Sequence, residues 1–345
     1  MLAPLRNNLA EWYKENNRNL PWRENANAYR VWLSEIILQQ TRVAQGTPYY
    51  EKFIEEFPDV FSLAAASEKQ LLLLWQGLGY YTRARNLHRA AKLVSENFNG
   101  QFPESYAELR ALPGVGDYTA SAIASIAFGL PHAVVDGNVL RVLARLFGVE
   151  EAVDGPLGRK RCKELAQALL NPEQPGLHNQ AVMELGALIC KPRNPDCLNC
   201  PVKNYCHAYS FGRQTELPVK GKNRSIKERY FHYFLVRNGN RIMLRKRKGK
   251  DIWENLYDLP LIELPAPGMI RKAALKHYFM GQSFKFAASE NLIHQLTHQR
   301  IQARFYEAKG PVEIPASSDI IWVAEDEIGH YPQPKLIQNF LKEKM

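Results

Sequence analysis

Four cysteines, Cys190, Cys197, Cys200 and Cys206, fall within seventeen positions in the spacing C-x6-C-x2-C-x5-C, and a loop of this kind restricts the fold more than any other stretch. Pro192, Asn194, Pro195, Asn199 and Pro201 make the segment a series of turns, with little core in which four unrelated thiols would be buried. Crowding of this kind suits metal ligation in a reducing compartment better than a disulfide framework. Structural zinc usually takes two short C-x2–4-C pairs. Here only Cys197 and Cys200 are so spaced, and the outer two stand off as cubane iron-sulfur ligands do, so the pattern favours an iron-sulfur centre over zinc. Cys162 lies outside it and reads as a small buried hydrophobe.

The periodicity of apolar residues changes once along the chain. From Leu5 to about Tyr209 they recur at helical spacing, as in Tyr29, Leu33, Ile36 and Ile37, or Leu140, Leu143, Ala144 and Phe147. After Phe211 the runs are short and β-rich (Tyr230 to Val236, Arg241 to Arg245, Gln302 to Tyr306), with helical stretches near Ile270 to Phe279 and Leu336 to Lys342. The 345 residues, 46% of them apolar, support two cores. The expected organisation is multidomain: an all-α domain over residues 1–212, a basic linker over 213–229 and an α+β domain over 230–345. No run of 18 apolar residues and no apolar signal core is present, so a soluble intracellular protein is expected.

The formal charge is +10, which points to a polyanionic partner. Arg213 to Lys250 holds thirteen Lys or Arg and two acidic residues, an excess of eleven. That stretch reads either as solvated linker and strand edge or as a connector tracking phosphates.

Within the helical half, Leu112-Pro113-Gly114-Val115-Gly116 separates a helix ending near Arg110 from one over Thr119 to Phe128. Two glycines one residue apart allow a tight turn and expose amide groups at a helix N-terminus, which favours a phosphate. Alone, the motif is more often a plain turn. Asp136 precedes a helix from about Asn138 to Phe147, where an isolated Asp is usually an N-cap. Glu35 lies on a helix expected over Ala28 to Ala44, flanked by apolar Leu33, Ile36 and Ile37. It is either a solvated helix residue or a carboxyl whose poor solvation raises its pKa and keeps a proton near neutral pH.

These motifs together, with LPWR at Leu20 to Arg23 and GLGYYTRARNL at Gly77 to Leu87, resemble the helix-hairpin-helix, iron-sulfur DNA glycosylases, and within them the adenine DNA glycosylases of the MutY type. The likeness spans about Trp12 to Cys206. It implies a [4Fe-4S] cluster on the four cysteines and an enzyme of base excision repair acting on double-stranded DNA with A:8-oxoguanine or A:G mispairs. It also implies a monomer in the bacterial cytoplasm, associated with the nucleoid through DNA. Related endonuclease III enzymes place an amine nucleophile where this chain has Tyr118, which forms no Schiff base, so the resemblance is to the monofunctional branch.

By the same resemblance Glu35 is the general acid to adenine N7, and Asp136 stabilises the sugar oxocarbenium ion or attacks it at C1′. Tyr118 and Asn138 support the sugar and the water. Gln180 hydrogen-bonds the extruded adenine, Arg23 of the LPWR motif is a further substrate or DNA contact, Gln40 and Tyr80 fill or wedge the vacated stack, and Leu112, Gly114, Val115 and Gly116 carry the backbone-binding hairpin.

The C-terminal half resembles the Nudix-like domain of the same family through its strand pattern and the run DIWENLYDLP. The helix near Ile270 offers Arg271, Lys272, Lys276 and His277 rather than the glutamates that magnesium-dependent pyrophosphate hydrolysis requires, so binding without hydrolysis is expected. Where the family has Phe-Ser-His to read 8-oxoguanine, this chain has Leu296, Thr297 and His298. The threonine keeps a hydroxyl, and the leucine removes a stacking surface. His294 and His298 read as hairpin residues rather than a metal pair. Two alternatives stand beside this reading: an endonuclease III-like pyrimidine glycosylase, which wants a lysine at position 118, and a silent damage sensor, against which Glu35 and Asp136 both speak.

Overall fold

The computed structural model describes residues 2–221, 226–279, 285–309 and 319–345. The chain divides into two compact units, Met1–Ala66 with Arg85–Lys222, and Ser67–Ala84 with Asn223–Met345. Neither unit is continuous in sequence. Ser67–Ala84, which by its helical periodicity continues the first half, belongs by its contacts to the second unit.

The first unit is helical, and its helix ends follow local chemistry. Pro156 and Pro175 open the helices Pro156–Leu169 and Pro175–Leu188, where a missing N–H costs nothing. Gly129 and Gly148 close Asp117–Phe128 and Gly137–Phe147 in the left-handed region. Pro175–Leu188 packs against Leu2–Asn16, Asp117–Phe128 and Gly137–Phe147, while Asp117–Phe128 also packs on Ala28–Leu38. Leu5, Leu9, Leu143, Leu185 and the fully buried Cys162 share one core. This packing brings Glu35, Tyr118, Asp136 and Gln180, far apart in sequence, onto neighbouring helices.

The helix carrying Glu35 is shorter than its periodicity predicts. It ends at Leu38, and the next helix starts at Val43. Gln39 is extended and Gln40 adopts φ +55°, so the polar run Gln39-Gln40-Thr41-Arg42 breaks what apolar spacing alone reads as one element.

Among the described residues the second unit forms two four-stranded sheets. In the first, Lys227–Leu235 lies between Leu261–Leu264, antiparallel, and Gln299–Lys309, parallel, and the latter pairs with Lys285–Gln295 in a hairpin. Phe231, Tyr233, Phe234 and Leu235 are all buried, because the strand is covered on both faces, which explains its unbroken apolar run. In the second sheet, Arg241–Lys246 is flanked by Arg237–Asn238, Tyr257–Asp258 and Ile320–Ala324. The segment Ser67–Ala84 is tied in by hydrogen bonds from Asn255 Nδ2 to Glu68 Oε1 (2.8 Å) and from Tyr81 Oη to the Gln333 carbonyl (3.4 Å).

Several arginines of the basic stretch are paired within the protein. Its first strand starts at Lys227, and Arg229 is buried with Asp251 and Glu263 at 2.8 and 2.7 Å. Arg245 and Arg247 share the fully buried Asp258 at 3.0 and 2.9 Å, and Arg213 pairs with Glu150 and Glu216. These partners come from elsewhere in the sequence, so a local count of charges misses them. Lys222 and Arg224 lie outside the described residues.

Candidate active site

Ala28–Leu38 presents Glu35 to the phenol of Tyr118, whose hydroxyl donates a hydrogen bond to Glu35 Oε2. Apolar Val31, Leu33, Ile36 and Ile37 around it are buried. Desolvation pushes the Glu35 carboxyl up to about 7, against the lowering hydrogen bond from Tyr118, while the negative charge of Asp136 raises it further. A carboxyl held there keeps its proton near neutrality and can deliver it. Tyr118 itself is raised far above the ordinary phenol range, first by burial and then by the two carboxylates, so it stays a neutral donor.

Asp136 satisfies both readings of it. It is the N-cap of Gly137–Phe147, its Oδ1 accepting the Val139 N–H at 2.7 Å, and its Oδ2 accepts Asn138 Nδ2 at 3.0 Å. Burial raises its pKa while these hydrogen bonds oppose the rise and favour the anion. Burial thus raises both carboxyls, and at Asp136 two hydrogen bonds that favour the anion oppose the rise.

A pocket of about 260 Å³ opens at Glu35, lined also by Tyr13, Trp22, Arg23, Gln180 and Met183. It lies below the roughly 300–1,000 Å³ of clefts for drug-sized molecules and suits a single planar base. The Tyr13 hydroxyl donates to Gln180 Oε1 at 3.1 Å. Arg23 forms a wall, 5.6 Å from the Tyr13 ring, and is tied at 3.0 Å to Glu184, which Arg18 also grips at 2.7 and 2.8 Å. Sequence reasoning missed Glu184, although it lies one helical turn after Gln180 in an otherwise apolar stretch. It is 1% exposed. Burial would raise its pKa, but the hydrogen bonds from Arg18 and Arg23 overcome this and bring it to about 2. Its stabilising effect is thus present above the ordinary glutamate range and is lost as pH falls toward 2. Glu184→Gln is expected to destabilise the first unit by about 3 kcal/mol, because two arginines lose a buried counter-charge; chemical denaturation at neutral pH measures it.

The hairpin turns at Gly114, whose φ is +77°. A Cβ there would also lie 2.6 Å from Asn86 Cβ. Leu112 and Val115 are buried, and Gly116 caps Asp117–Phe128. Gly114→Ala should cost at least 1 kcal/mol in stability and weaken duplex binding in a filter assay. Unchanged values would show that the turn tolerates a side chain.

Cys190, Cys197, Cys200 and Cys206 line one pocket of about 30 Å³ with Arg145 and Lys203. Among the described residues no three His, Cys, Asp or Glu side chains converge closely enough to hold a single ion. Burial, together with the charges of the other three cysteines, pushes the Cys200 thiol up to about 12. A cationic inorganic core reverses that penalty. Buried Arg145 points Nη1 at Cys190 Sγ (3.4 Å) and bonds the Lys191 carbonyl (2.7 Å). From the same helix Arg141 reaches the Cys190 carbonyl (2.7 Å) and Asn138 Oδ1 (2.8 Å). The cysteine loop and Asp136 are thereby joined by hydrogen bonds through Asn138.

Residues 33–186 match the helix-hairpin-helix superfamily of base excision DNA repair proteins, residues 190–206 the iron-sulfur binding domain of endonuclease III, and residues 232–343 the NUDIX domain. The chain is 37% identical over 253 residues to an adenine DNA glycosylase of Buchnera aphidicola from Schizaphis graminum, covering 73% of each. The chain belongs to the adenine DNA glycosylase family. The human adenine DNA glycosylase is 44% identical over 229 residues, covering 64% of this chain and 42% of the human protein. A thermostable thymine-DNA glycosylase of known structure superposes with a TM-score of 0.56 at 27% identity, over 61% of this chain and 97% of that one. The family's cofactor is a [4Fe-4S] cluster, its second domain is Nudix-like, and its members are DNA-binding hydrolases of base excision repair. Among the described residues no helix is long and apolar enough to cross a membrane.

The remaining expected residues lie in the second unit or at turns. Gln40 and Tyr80, the two residues assigned to the vacated stack, both stand on left-handed backbone, at φ +55° and +48°. Non-glycine residues there are strained, and such strain gathers at functional sites. Leu296, Thr297 and His298 form the tip of the hairpin between Lys285–Gln295 and Gln299–Lys309, closed by Leu296 N to the Gln299 carbonyl at 2.8 Å. Thr297 Oγ1 hydrogen-bonds Tyr80 Oη. His294 packs edge-on to Trp253, ring centroids 5.7 Å apart.

Proposed function

We propose that this chain removes adenine mispaired with 8-oxoguanine or guanine in double-stranded DNA, as a monofunctional enzyme. The observation carrying the reading is the Glu35 carboxyl, held near pKa 7 beside Tyr118 and Asp136 at the mouth of a base-sized pocket. The extruded adenine enters this pocket against Gln180 and Arg23. Glu35 gives its proton to N7, the C1′–N9 bond breaks with its electron pair leaving on the base, and positive charge develops on the sugar. Asp136, as the anion that its two hydrogen bonds favour, faces that charge or bonds C1′ before water replaces it. Asn138 and Tyr118 hold Asp136 and the sugar in place. Cys190, Cys197, Cys200 and Cys206 hold the [4Fe-4S] cluster, which organises the loop, and the Leu112 to Gly116 main chain takes a backbone phosphate.

The second unit reads the base opposite, with Thr297 supplying the hydroxyl and His298 beside it. The enzyme acts as a monomer on nucleoid DNA in the cytoplasm. Duplexes carrying adenine opposite 8-oxoguanine, guanine or thymine, treated with alkali after incubation, test this. Cleavage of the adenine strand in the first two only is expected. Equal cleavage of all three, or of none with the iron-sulfur chromophore intact, overturns it.

A further inference from the structure

Tyr80 is a large aromatic residue, 43% exposed, on backbone that a tyrosine adopts at a cost. The residues that hold it are local. Gly77 and Gly79 flank the turn at φ +103° and +74°. The indole N–H of buried Trp75 donates to the Gly79 carbonyl at 3.0 Å. Arg83 closes the structure: its Nη2 reaches the carbonyls of Leu78 and Gly79 at 3.4 and 3.3 Å. The guanidinium lies 5.1 Å from the Trp75 ring and 5.6 Å from the Tyr80 ring, and the Arg83 N–H caps the Tyr80 carbonyl at 2.8 Å. At its outer end the tyrosine meets Thr297. One side chain thus binds the carbonyls of a strained turn and places a cation against the ring that the turn presents.

We propose that Arg83 is a positioning residue that holds Tyr80 loaded as the wedge for the DNA stack, and so governs how readily the enzyme extrudes an adenine that is still paired. The inference rests on the reading of the second unit as the one that meets the damaged pair. One Nη2 reaches both carbonyls while the planar guanidinium lies against two rings, so lysine restores the charge without the planar face. When Arg83 is lost, the turn relaxes toward negative φ and the ring leaves its station between Arg83 and Thr297. The cost then falls on unstacking, a step that depends on how firmly the target is paired, and not on proton transfer at Glu35.

The test compares single-turnover adenine release from A:8-oxoG duplexes with release from duplexes in which adenine faces an abasic spacer and needs no unpairing. For Arg83→Lys the ratio of the two rates should fall roughly tenfold, for Tyr80→Ala by a similar factor, and the double variant should be no worse than Tyr80→Ala, since both act through one element. A 2-aminopurine next to the target should lose its binding-induced fluorescence rise in all three. An unchanged ratio in Arg83→Lys, or additive losses in the double variant, overturns the proposal. Failure of the wild-type protein to release adenine from either duplex would instead overturn the reading of function beneath it.

Discussion

Glu35→Gln should reduce adenine release by about 10²–10⁴-fold under single-turnover conditions, the range general acid catalysis contributes, while leaving duplex binding within a few fold. Glutamine keeps the volume of the site and still accepts the Tyr118 hydroxyl, so the fold is undisturbed and the lost property is the proton. The pH dependence has a definite sign. The competent form is the protonated acid, and burial places its pKa near 7, so the wild-type rate should be flat below that value and fall as pH rises through it. The same carboxyl links to stability. A folded-state pKa above the ordinary glutamate range means that burial penalises the charged form, so the protein should lose some stability as pH rises from the unfolded value through about 7. A wild-type rate that rises through pH 7, or a Glu35→Gln protein with more than a tenth of the wild-type rate, would remove Glu35 from the acid role.

Asp136→Asn separates two functions that one residue performs. Asparagine caps a helix about as well as aspartate, so the melting temperature of Gly137–Phe147 and its surroundings should hardly move. What disappears is the negative charge facing the sugar, with the hydrogen bond that Oδ2 accepts from Asn138. Loss of one preorganised electrostatic partner typically costs 10²–10³-fold in rate, and a comparable fall is expected here. Asp136→Ala should add a destabilisation of about 1 kcal/mol from the missing cap. If the asparagine variant were as unstable as the alanine variant, its lost activity would reflect the helix end and not the charge.

Much of this site is legible in the sequence because its residues sit inside compact motifs. The cysteine spacing announces a cluster loop, Gly114 and Gly116 a tight turn, and Asp136 a helix start. Glu35 draws notice as a carboxylate among apolar neighbours. Less legible are properties that depend on partners distant in the chain. The Glu184 ion pairs with Arg18 and Arg23 cross more than 160 positions. The arginines at 229, 245 and 247 look like an open basic patch until Asp251, Asp258 and Glu263 close on them. The break after Leu38 escapes a periodicity argument because Ile36, Ile37 and the following residues keep helical spacing across it. Membership of Ser67–Ala84 in the second unit leaves no mark in local composition.

That last feature bears on how the protein comes off the ribosome. Leu71, Leu72 and Trp75 are buried within a unit whose other strands are translated some 150 residues later, after Asn223. The nascent chain therefore carries an apolar segment that waits for the rest of its unit through the synthesis of the whole cysteine loop, a situation in which unfinished domains invite aggregation or chaperone capture. A fragment stopped in the linker would keep the carboxylates and the cysteines but strand this segment without its fold. Removing the second domain at the linker is thus not a clean excision, and loss of solubility in such a truncation would say nothing about the stability of the helical catalytic core.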